Sequence, residues 1–158
     1  MSSAKLSLSA PSSVSASRIV SSLLTVRTAG AGFVDLTSHV VKFLHDISGR
    51  EGAVTLFIRH TSASLTIQEN ADPSVLADLM TALGRLAPDN AGWSHDTEGP
   101  DDMPAHIKTM LTATSLQVPV SNGKLMLGTW QGIYLIEHRS RPHAREVVVQ
   151  FVGATARQ

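Results

Sequence analysis

The chain of 158 residues contains no cysteine, so neither disulfide bonds nor thiolate chemistry can occur in it. A site for a soft metal ion would therefore have to use histidine. The lack of cysteine also fits a protein of the reducing cytoplasm, and we expect a cytoplasmic location.

Charge is scarce as well, because charged residues make up 16% of the chain, below the quarter that is typical of soluble domains. Thirteen basic residues balance thirteen acidic residues, and without a positive excess we expect no nucleic-acid partner. A chain that is 42% hydrophobic and carries so little charge is expected to expose less of its surface to solvent than a monomer would. We therefore expect a homo-oligomer.

No apolar run approaches the roughly 20 residues that span a bilayer, so we expect no membrane partner. The length predicts a single domain, which we place at residues 18–158. Residues 1–17 are serine-rich and could bury little surface, so we expect a weakly ordered extension. This segment has neither the apolar stretch of a secretory signal nor the arginine-rich pattern of a transit peptide.

Two common motifs of catalysis are also missing. The chain has no glycine-rich phosphate-binding pattern of the nucleotide-binding folds. Ser62 and Ser64 lack the glycine spacing of a nucleophile elbow, which argues against a serine hydrolase. The candidate chemistry therefore lies in histidine, carboxylate and basic side chains.

Hydrophobic periodicity predicts an α+β fold with mostly antiparallel sheets and about three helices. The helices are expected from Asp35 or Thr37 to Gly49, from Asp72 through Leu86, and from Pro104 to Ser115. The apolar stripes at residues 75–86 and 107–114 should face the core. Strands are expected at residues 19–28, 53–59, 65–69, 116–121, 124–127, 133–138 and 146–152, and Asn122-Gly123 predicts a two-residue hairpin turn.

The segment from His95 to His106 concentrates residues that bind metals or move protons. It holds four acidic residues within seven positions, and a histidine stands at each end. Such a mixture could hold a metal ion, position an anionic substrate or perform acid–base chemistry. On a purely structural reading, Asp101 and Asp102 only charge-match a helix that begins just after them. That reading leaves Glu98 and both histidines unexplained, so we favour a functional segment.

Further candidates stand at the ends of predicted elements. His60 follows a buried strand and Asn70 precedes the second helix, and each could contact a ligand or only hold a turn. Lys108 lies near the start of the third helix, where backbone N–H groups favour anions, although an exposed lysine is the commoner finding. The basic turn at residues 138–145 fits an anion site or a solvated loop, and Trp130 fits the core, a subunit contact or stacking on a flat ring.

Several motifs, taken together and in order, make the chain resemble the YjbQ-like family, often labelled secondary thiamine-phosphate synthase. They are residues 60–65 (HTSASL), 68–75 (QENADPSV), 95–108 (HDTEGPDDMPAHIK), 119–125 (PVSNGKL), 127–133 (LGTWQGI) and 137–139 (EHR). The resemblance covers about Ile19 to Gly153, and only the serine-rich start falls outside it.

The resemblance implies an α+β fold and a homotrimer with sites near the subunit boundaries. It also implies a secondary ability to join hydroxymethyl-aminopyrimidine diphosphate to a thiazole phosphate, with release of pyrophosphate. The partner of such a site is a small phosphorylated molecule. A divalent ion, magnesium or zinc, would neutralise the leaving diphosphate.

For this reaction we hypothesise a role for each candidate residue. The metal ligands are His60, His95 and His106; the catalytic groups are Glu98, Asp101 and His138; the substrate contacts are Asn70, Lys108, Trp130, Gln131 and Arg139. Asp102, like Glu98 and Asp101, would contact the metal or its water. Arg139 and Lys108 would bind phosphate oxygens, and Trp130 would stack on the pyrimidine.

Two other classes of function use the same residues. A metal-dependent hydrolase of a small metabolite would use the histidines as ligands, with Glu98 or Asp101 as the base for a water molecule. A non-catalytic trimeric binding protein would use the clusters to hold its subunits together. Metal content separates the first class from the synthase, since zinc favours the hydrolase and loosely held magnesium favours the synthase.

Overall fold

The computed structural model describes residues 6–156, and this part of the chain contains eight strands and three helices. The strands are β1 (Arg18–Arg27), β2 (Gly32–Asp35), β3 (Gly49–Ile58), β4 (Ala63–Glu69), β5 (Ser115–Ser121), β6 (Lys124–Leu125), β7 (Gln131–Glu137) and β8 (Ala144–Thr155). The helices are α1 (Thr37–Asp46), α2 (Pro73–Leu86) and α3 (Asp102–Leu111). The predicted α+β fold with three helices is confirmed.

The strands form two sheets, one of five strands in the order β1-β8-β3-β5-β6 and one of three in the order β2-β7-β4. Every pairing of these strands is antiparallel. One cluster of buried apolar side chains takes members from both sheets and from α1, among them Val40, Leu56, Leu65, Leu135 and Phe151. The two sheets and α1 therefore share one core.

The predicted helix α1 and the predicted hairpin both form, although Leu36 takes the N-cap position of α1 without a side-chain cap bond and the helix ends at Asp46, before Gly49. The Asp35 carboxylate accepts a hydrogen bond from the Thr37 backbone N–H at 2.7 Å, and Val40 and Leu44 are buried on the inner side of α1. Asn122 and Gly123 adopt φ values of 52° and 76° between β5 and β6. Positive φ at both positions is what a tight hairpin turn requires, so the predicted turn is confirmed.

Strand β2 was not predicted, because the sequence indicated a turn around Gly30 and Gly32. Residues 32–35 instead pair with β7, from Gly32 opposite Glu137 to Asp35 opposite Tyr134. A segment of four residues is too short to show an alternation of apolar and polar positions, which explains why periodicity missed it.

The predicted inner faces of the second and third helices are only partly buried. Asp72 caps α2 as expected, accepting from Ser74 N–H at 2.9 Å, but α2 buries no residue and Leu86 is 67% exposed. Helix α3 begins two residues earlier than predicted and turns Met110, 85% exposed, towards solvent. Periodicity shows which side of a helix is apolar, but not whether another element of the same chain covers that side.

Residues 6–17 are exposed and belong to no helix or strand. Residues 1–5, the remainder of the predicted extension, and residues 157 and 158 at the end of the predicted domain lie outside the described part of the chain. Among residues 6–156, no helix combines the length and the apolar character needed to cross a bilayer.

A candidate metal centre on the third helix

Three side chains of the segment from His95 to His106 converge on one point at the start of α3. The Nε2 atom of His95 lies 2.8 Å from Oδ2 of Asp102, and Nε2 of His106 lies 3.3 Å from the same oxygen. One potential ligand atom from each of the three residues lies within 4.8 Å of the others. Because α3 begins at Asp102, Asp102 and His106 are four residues apart on one helix face.

The orientation of the His106 ring is fixed by its second nitrogen. Its Nδ1 atom lies 3.1 Å from the backbone carbonyl oxygen of Thr61, in the loop between β3 and β4. A carbonyl only accepts hydrogen bonds, so a neutral His106 ring carries its proton on Nδ1 and keeps a lone pair on Nε2. That lone pair points towards Asp102, and such a backbone partner is the usual support of a metal-binding histidine.

Arg139, just after β7, fixes Asp102. Its guanidinium donates from Nη1 to Oδ1 of Asp102 and from Nη2 to the Glu98 carbonyl oxygen at 2.7 Å. Its Nε lies 3.3 Å from Asp101. One Asp102 oxygen is therefore held by the guanidinium, while the other faces the two imidazoles.

Asp101 anchors the loop that follows β7. Its Oδ2 accepts hydrogen bonds from the Ser140 backbone N–H at 2.7 Å and from the Ser140 hydroxyl at 2.8 Å. Partial burial raises the pKa of Asp101, but the hydrogen bonds from Ser140 and the charge of Arg139 outweigh it and lower the pKa to about 2. Asp101 is therefore ionised near neutral pH and is fully engaged in holding the loop.

The donor set of the centre suits a borderline divalent ion. Two imidazole nitrogens and one carboxylate oxygen are ligands that zinc and iron accept, whereas magnesium prefers oxygen alone. The side chain of Asp102 is 3% exposed, but those of His106 and His95 are 34% and 44% exposed. The centre thus has a buried inner wall and an open outer side, where a catalytic metal keeps a position for water or substrate.

A buried ion pair lies beneath the loop. Both oxygens of Glu137 accept from Arg145, at 2.7 and 2.6 Å, and Glu137 also accepts from the Thr28 hydroxyl and the Arg139 backbone N–H. Burial raises the pKa of Glu137, but these donors outweigh it and lower the pKa below its ordinary value. The pair ties β7 to β8 directly under the loop that carries Arg139.

His60 lies beside the centre without joining it. Its Nε2 accepts the Glu146 backbone N–H at 2.9 Å, and its Nδ1 lies 3.5 Å from an Arg145 nitrogen. Burial and the Arg145 charge lower the pKa of His60. Since the Nε2 lone pair is used in this way, the structure groups Asp102, rather than His60, with His95 and His106.

His138 and Lys108 lie deeper than the sequence suggests. His138 is 2% exposed, and its Nε2 lies 2.8 Å from the Ser64 hydroxyl. Burial, with the positive charge of Lys108 as the next cause, lowers the pKa of His138 to about 4, so the ring is neutral at neutral pH. Lys108 is also buried, on the inner side of α3.

Three further candidates, Asn70, Trp130 and Gln131, lie at the opposite end of the β4–β7 pair. The Asn70 side chain donates to the Gln131 carbonyl at 3.4 Å, and the Gln131 side chain accepts from Gly128 N–H at 2.8 Å. From Ala63 to Glu69, β4 spans about 20 Å. Within one chain, these residues and the metal centre form two separate sites.

An open groove lies next to the centre. It has a volume of about 590 Å³ and is lined by residues 57–62 and Thr114. Thr61, whose carbonyl orients His106, forms part of its wall. A molecule bound at the centre therefore has room to extend along the end of β3.

Sequence reasoning missed three features of this site. It named Asp102 and His106 as metal contacts but did not place them four residues apart on one helix face, because the predicted helix began at Pro104. Glu137 and Arg145 end two apolar strands, and opposite charges at such positions are a signal for a buried pair. No local signal pairs Ser64 with His138, which is 74 residues away.

The family model and the related sequences that match this chain agree with one another. The family model described as "UPF0047 protein YjbQ-like" matches residues 22–154. The UPF0047 protein sll1880 of Synechocystis sp. is 49% identical over 132 residues, which cover 83% of this chain and 90% of that protein. The UPF0047 protein YjbQ of Escherichia coli O157:H7 is 42% identical over 131 residues, which cover 82% and 95%.

Solved structures agree with these relatives. An uncharacterised YjbQ/UPF0047 protein from Clostridium acetobutylicum has a TM-score of 0.77 and 38% identity, covering 82% of this chain and 98% of its own. A conserved hypothetical protein from Thermus thermophilus has a TM-score of 0.71 and 40% identity, with coverages of 80% and 97%. These names state no activity. The chain belongs to the YjbQ-like UPF0047 family.

Proposed function

We propose that the protein is a metal-dependent enzyme in which His95, Asp102 and His106 bind one divalent transition-metal ion, with zinc as the expected ion. The observation that carries this proposal is the convergence of two Nε2 atoms and one carboxylate oxygen within 4.8 Å. The residues that hold the ligands in place also support the proposal, since Thr61 orients His106 and Arg139 orients Asp102.

The reaction class that the centre supports best is hydrolysis of a small anionic metabolite. When bound, such an ion lowers the pKa of a coordinated water and polarises an oxygen of the substrate. Three protein ligands with an open outer side leave a position for those groups. Of the two candidate bases, Glu98 is the better one, because Asp101 is tied to Ser140 while the Glu98 side chain is exposed.

The narrower thiamine-phosphate synthase reaction is the second candidate, and one observation bears on it. Its pyrimidine contacts, Asn70, Trp130 and Gln131, lie at the far end of the β4–β7 pair, and β4 is about 20 Å long. The reaction therefore requires a neighbouring subunit that brings this second set of residues to the centre. The imidazole-rich donor set also suits zinc better than the magnesium that a diphosphate leaving group favours.

We propose that the protein assembles as a homotrimer. Exposed apolar side chains support this proposal, because they indicate a surface that another subunit covers. The apolar stripe of α2 has no buried member, and Leu86 and Trp130 are 67% and 65% exposed. Exposed large apolar side chains that form a patch mark interaction sites. We also propose a cytoplasmic location, on the absence of cysteine.

Metal analysis of the purified protein tests the centre. We expect about one zinc per chain in the wild type and a loss of at least tenfold in zinc affinity for His106→Ala and Asp102→Asn. His45→Ala serves as the control, because His45 is exposed on α1, and should retain the metal. Equal zinc content in all four proteins would contradict the centre, and stoichiometric iron would replace zinc as its ion.

Activity is tested on the same four proteins. The zinc-loaded wild type is assayed for release of phosphate or carboxylate from a panel of small esters. A parallel assay supplies the pyrimidine diphosphate and the thiazole phosphate with magnesium or zinc. Turnover of an ester that disappears in His106→Ala supports the hydrolase, pyrophosphate release supports the synthase, and metal without any turnover supports a binding protein.

A further inference from the structure

The two ring nitrogens of His60 face two hydrogen-bond donors, and a neutral ring can accept from only one of them. Its Nε2 lies 2.9 Å from the Glu146 backbone nitrogen, and its Nδ1 lies 3.5 Å from Nη1 of Arg145. A backbone N–H and a guanidinium N–H only donate, and a charged imidazole could accept from neither. Because the shorter contact makes Nε2 the acceptor, the ring proton lies on Nδ1 and faces the N–H of Arg145.

The Arg145 guanidinium is held in this contact by a buried ion pair. Arg145 is 4% exposed, and its Nε and Nη2 atoms donate to the two oxygens of Glu137 at 2.7 and 2.6 Å. Within residues 6–156, Nη1 has no hydrogen-bond partner other than Nδ1 of His60. Two donors that face each other need an acceptor. One oxygen atom, about 2.9 Å from each nitrogen, would satisfy both.

The open groove next to the metal centre leads to these two donors. His60, Thr61 and Ser62 line the groove. Nη2 of Arg145 lies 3.4 Å from the Ser62 carbonyl oxygen, so the guanidinium lies against this wall. Thr61 also orients His106, which connects the groove to the metal centre. A substrate bound at the centre can therefore reach the donors of His60 and Arg145 through the groove.

The charges around the two donors are already balanced. Arg145 is paired with Glu137. Arg59 is paired with Glu146 at 2.9 Å, and the lowered pKa of His60 keeps its ring neutral at neutral pH. A further charge would have no counter-ion here, whereas an uncharged acceptor needs none. The donors therefore suit the carbonyl oxygen of an amide or an ester better than a carboxylate or a phosphate.

We propose that His60 and Arg145 bind an uncharged carbonyl oxygen of the substrate, which extends along the groove from the metal centre. The substrate is then a small anion whose charged group contacts the metal and whose chain carries an amide or ester carbonyl further out. This inference deepens the proposed function and rests on it for the identity of the bound molecule as a substrate. His60 is thus a substrate contact rather than a metal ligand.

Hydroxamates, which chelate zinc, provide probes that reach from the metal into the groove. Zinc-loaded wild-type protein is titrated by calorimetry with three matched series of alkyl hydroxamates, which end in a primary amide, a carboxylate or an isopropyl group of similar shape. At one chain length, we expect the amide probe to bind about tenfold or more tighter than the isopropyl probe, because one of its two new hydrogen bonds comes from a charged donor.

Two substitutions separate the donor of His60 from its contact with Glu146. In His60→Gln, the side-chain oxygen can replace Nε2 as the acceptor, but the donor at Nδ1 is lost, so the preference for the amide probe should disappear. In His60→Asn, the amide nitrogen can take the position of Nδ1, and the preference should be retained. His45→Gln, on the exposed side of α1, is the control and should bind all probes as the wild type does.

Equal affinities for amide and isopropyl probes at every chain length would overturn the proposal, as would a preference that His60→Gln retains. Tightest binding of the carboxylate probes would overturn the choice of an uncharged group. Nitrogen NMR of the wild type needs no substitution, and a His60 proton on Nε2 would refute the pair of donors even if the variants do not fold. If the metal centre itself fails, no hydroxamate binds. N-methylacetamide alone must then still shift the Nδ1 signal of His60, and an unchanged signal would overturn the proposal.

Discussion

At the scale of single residues, burial decides which charged pairs matter in this protein. The Glu137–Arg145 pair and the Arg59–Glu146 pair both join oppositely charged groups on or next to β7, β8 and β3, with contacts of 2.6 and 2.9 Å. The first pair is almost fully buried, whereas both side chains of the second are about half exposed. Removing one partner of a buried pair leaves an uncompensated charge in the interior. When one partner of an exposed pair is removed, water solvates the charge that remains.

We expect Glu137→Gln to lower the free energy of unfolding by about 3–5 kcal/mol, because Arg145 then stays buried without its carboxylate. Denaturant unfolding followed by circular dichroism measures this change. The matched control, Glu146→Gln, removes a carboxylate from an exposed pair and should cost less than about 1 kcal/mol. Similar losses in the two variants would refute this assignment of stability to the buried pair.

Acid should weaken the loop that Asp101 anchors. The folded-state pKa of Asp101, about 2, lies below its ordinary value of 3.8, so its carboxylate stabilises the fold above that value. This contribution is lost as the pH falls from about 3.8 towards 2, and the lowered pKa of Glu137 adds a loss in the same direction. The free energy of unfolding, measured from about pH 6 to about pH 3, should decline less in Asp101→Asn than in the wild type. Parallel curves would exclude Asp101 as a source of the acid sensitivity.

At the scale of elements, close contact between strands constrains the sequence more than helix propensity does. At the paired ends of β3 and β8, Gly52 lies opposite Gly153. A Cβ atom at Gly153 would collide with the Glu51 backbone oxygen and lie 2.7 Å from the Phe151 ring. In contrast, a Cβ atom at Gly84, within α2, would meet no atom within 4 Å.

We therefore expect Gly153→Ala and Gly84→Ala to have opposite effects on stability. The first substitution should destabilise the protein, because backbone atoms of a paired strand cannot move aside as a flexible side chain can. The second should stabilise it by about 0.5–1 kcal/mol, since alanine favours an exposed helix over the unfolded chain. Thermal unfolding of the two variants shows whether each substitution raises or lowers stability. A stabilised Gly153→Ala protein would show that β3 and β8 can move apart at this position.

At the scale of the whole molecule, the incompletely buried stripe of α2 indicates that one chain does not bury all its apolar surface. We expect the wild type to migrate as a trimer in size measurements and Leu86→Lys to dissociate it. Leu86 is mostly exposed in one chain, so the variant subunit should still fold. Thr81→Lys, on the exposed polar side of the same helix, is the control and should stay trimeric. A monomeric wild type would remove the proposed assembly.

Much of the fold follows from local patterns, because caps, turns and strand alternation involve neighbours in sequence. Asp72 caps α2 and Asn122-Gly123 forms its turn with no help from distant residues. The same locality made the segment from His95 to His106 visible as a candidate site. It failed for α2 and α3, since the partner of an apolar helix face lies elsewhere in the chain or in another copy.

The sequence by itself determined the family, the elements and the residue types that can perform chemistry. Only the tertiary structure decided which of them meet. Asp102 is held by Arg139, 37 residues away, and His106 by Thr61, 45 residues away. The His60 ring contacts the Glu146 backbone, and Lys108 became buried on α3. Contacts over such separations depend on how both sheets and α3 pack together, and no local pattern encodes that arrangement.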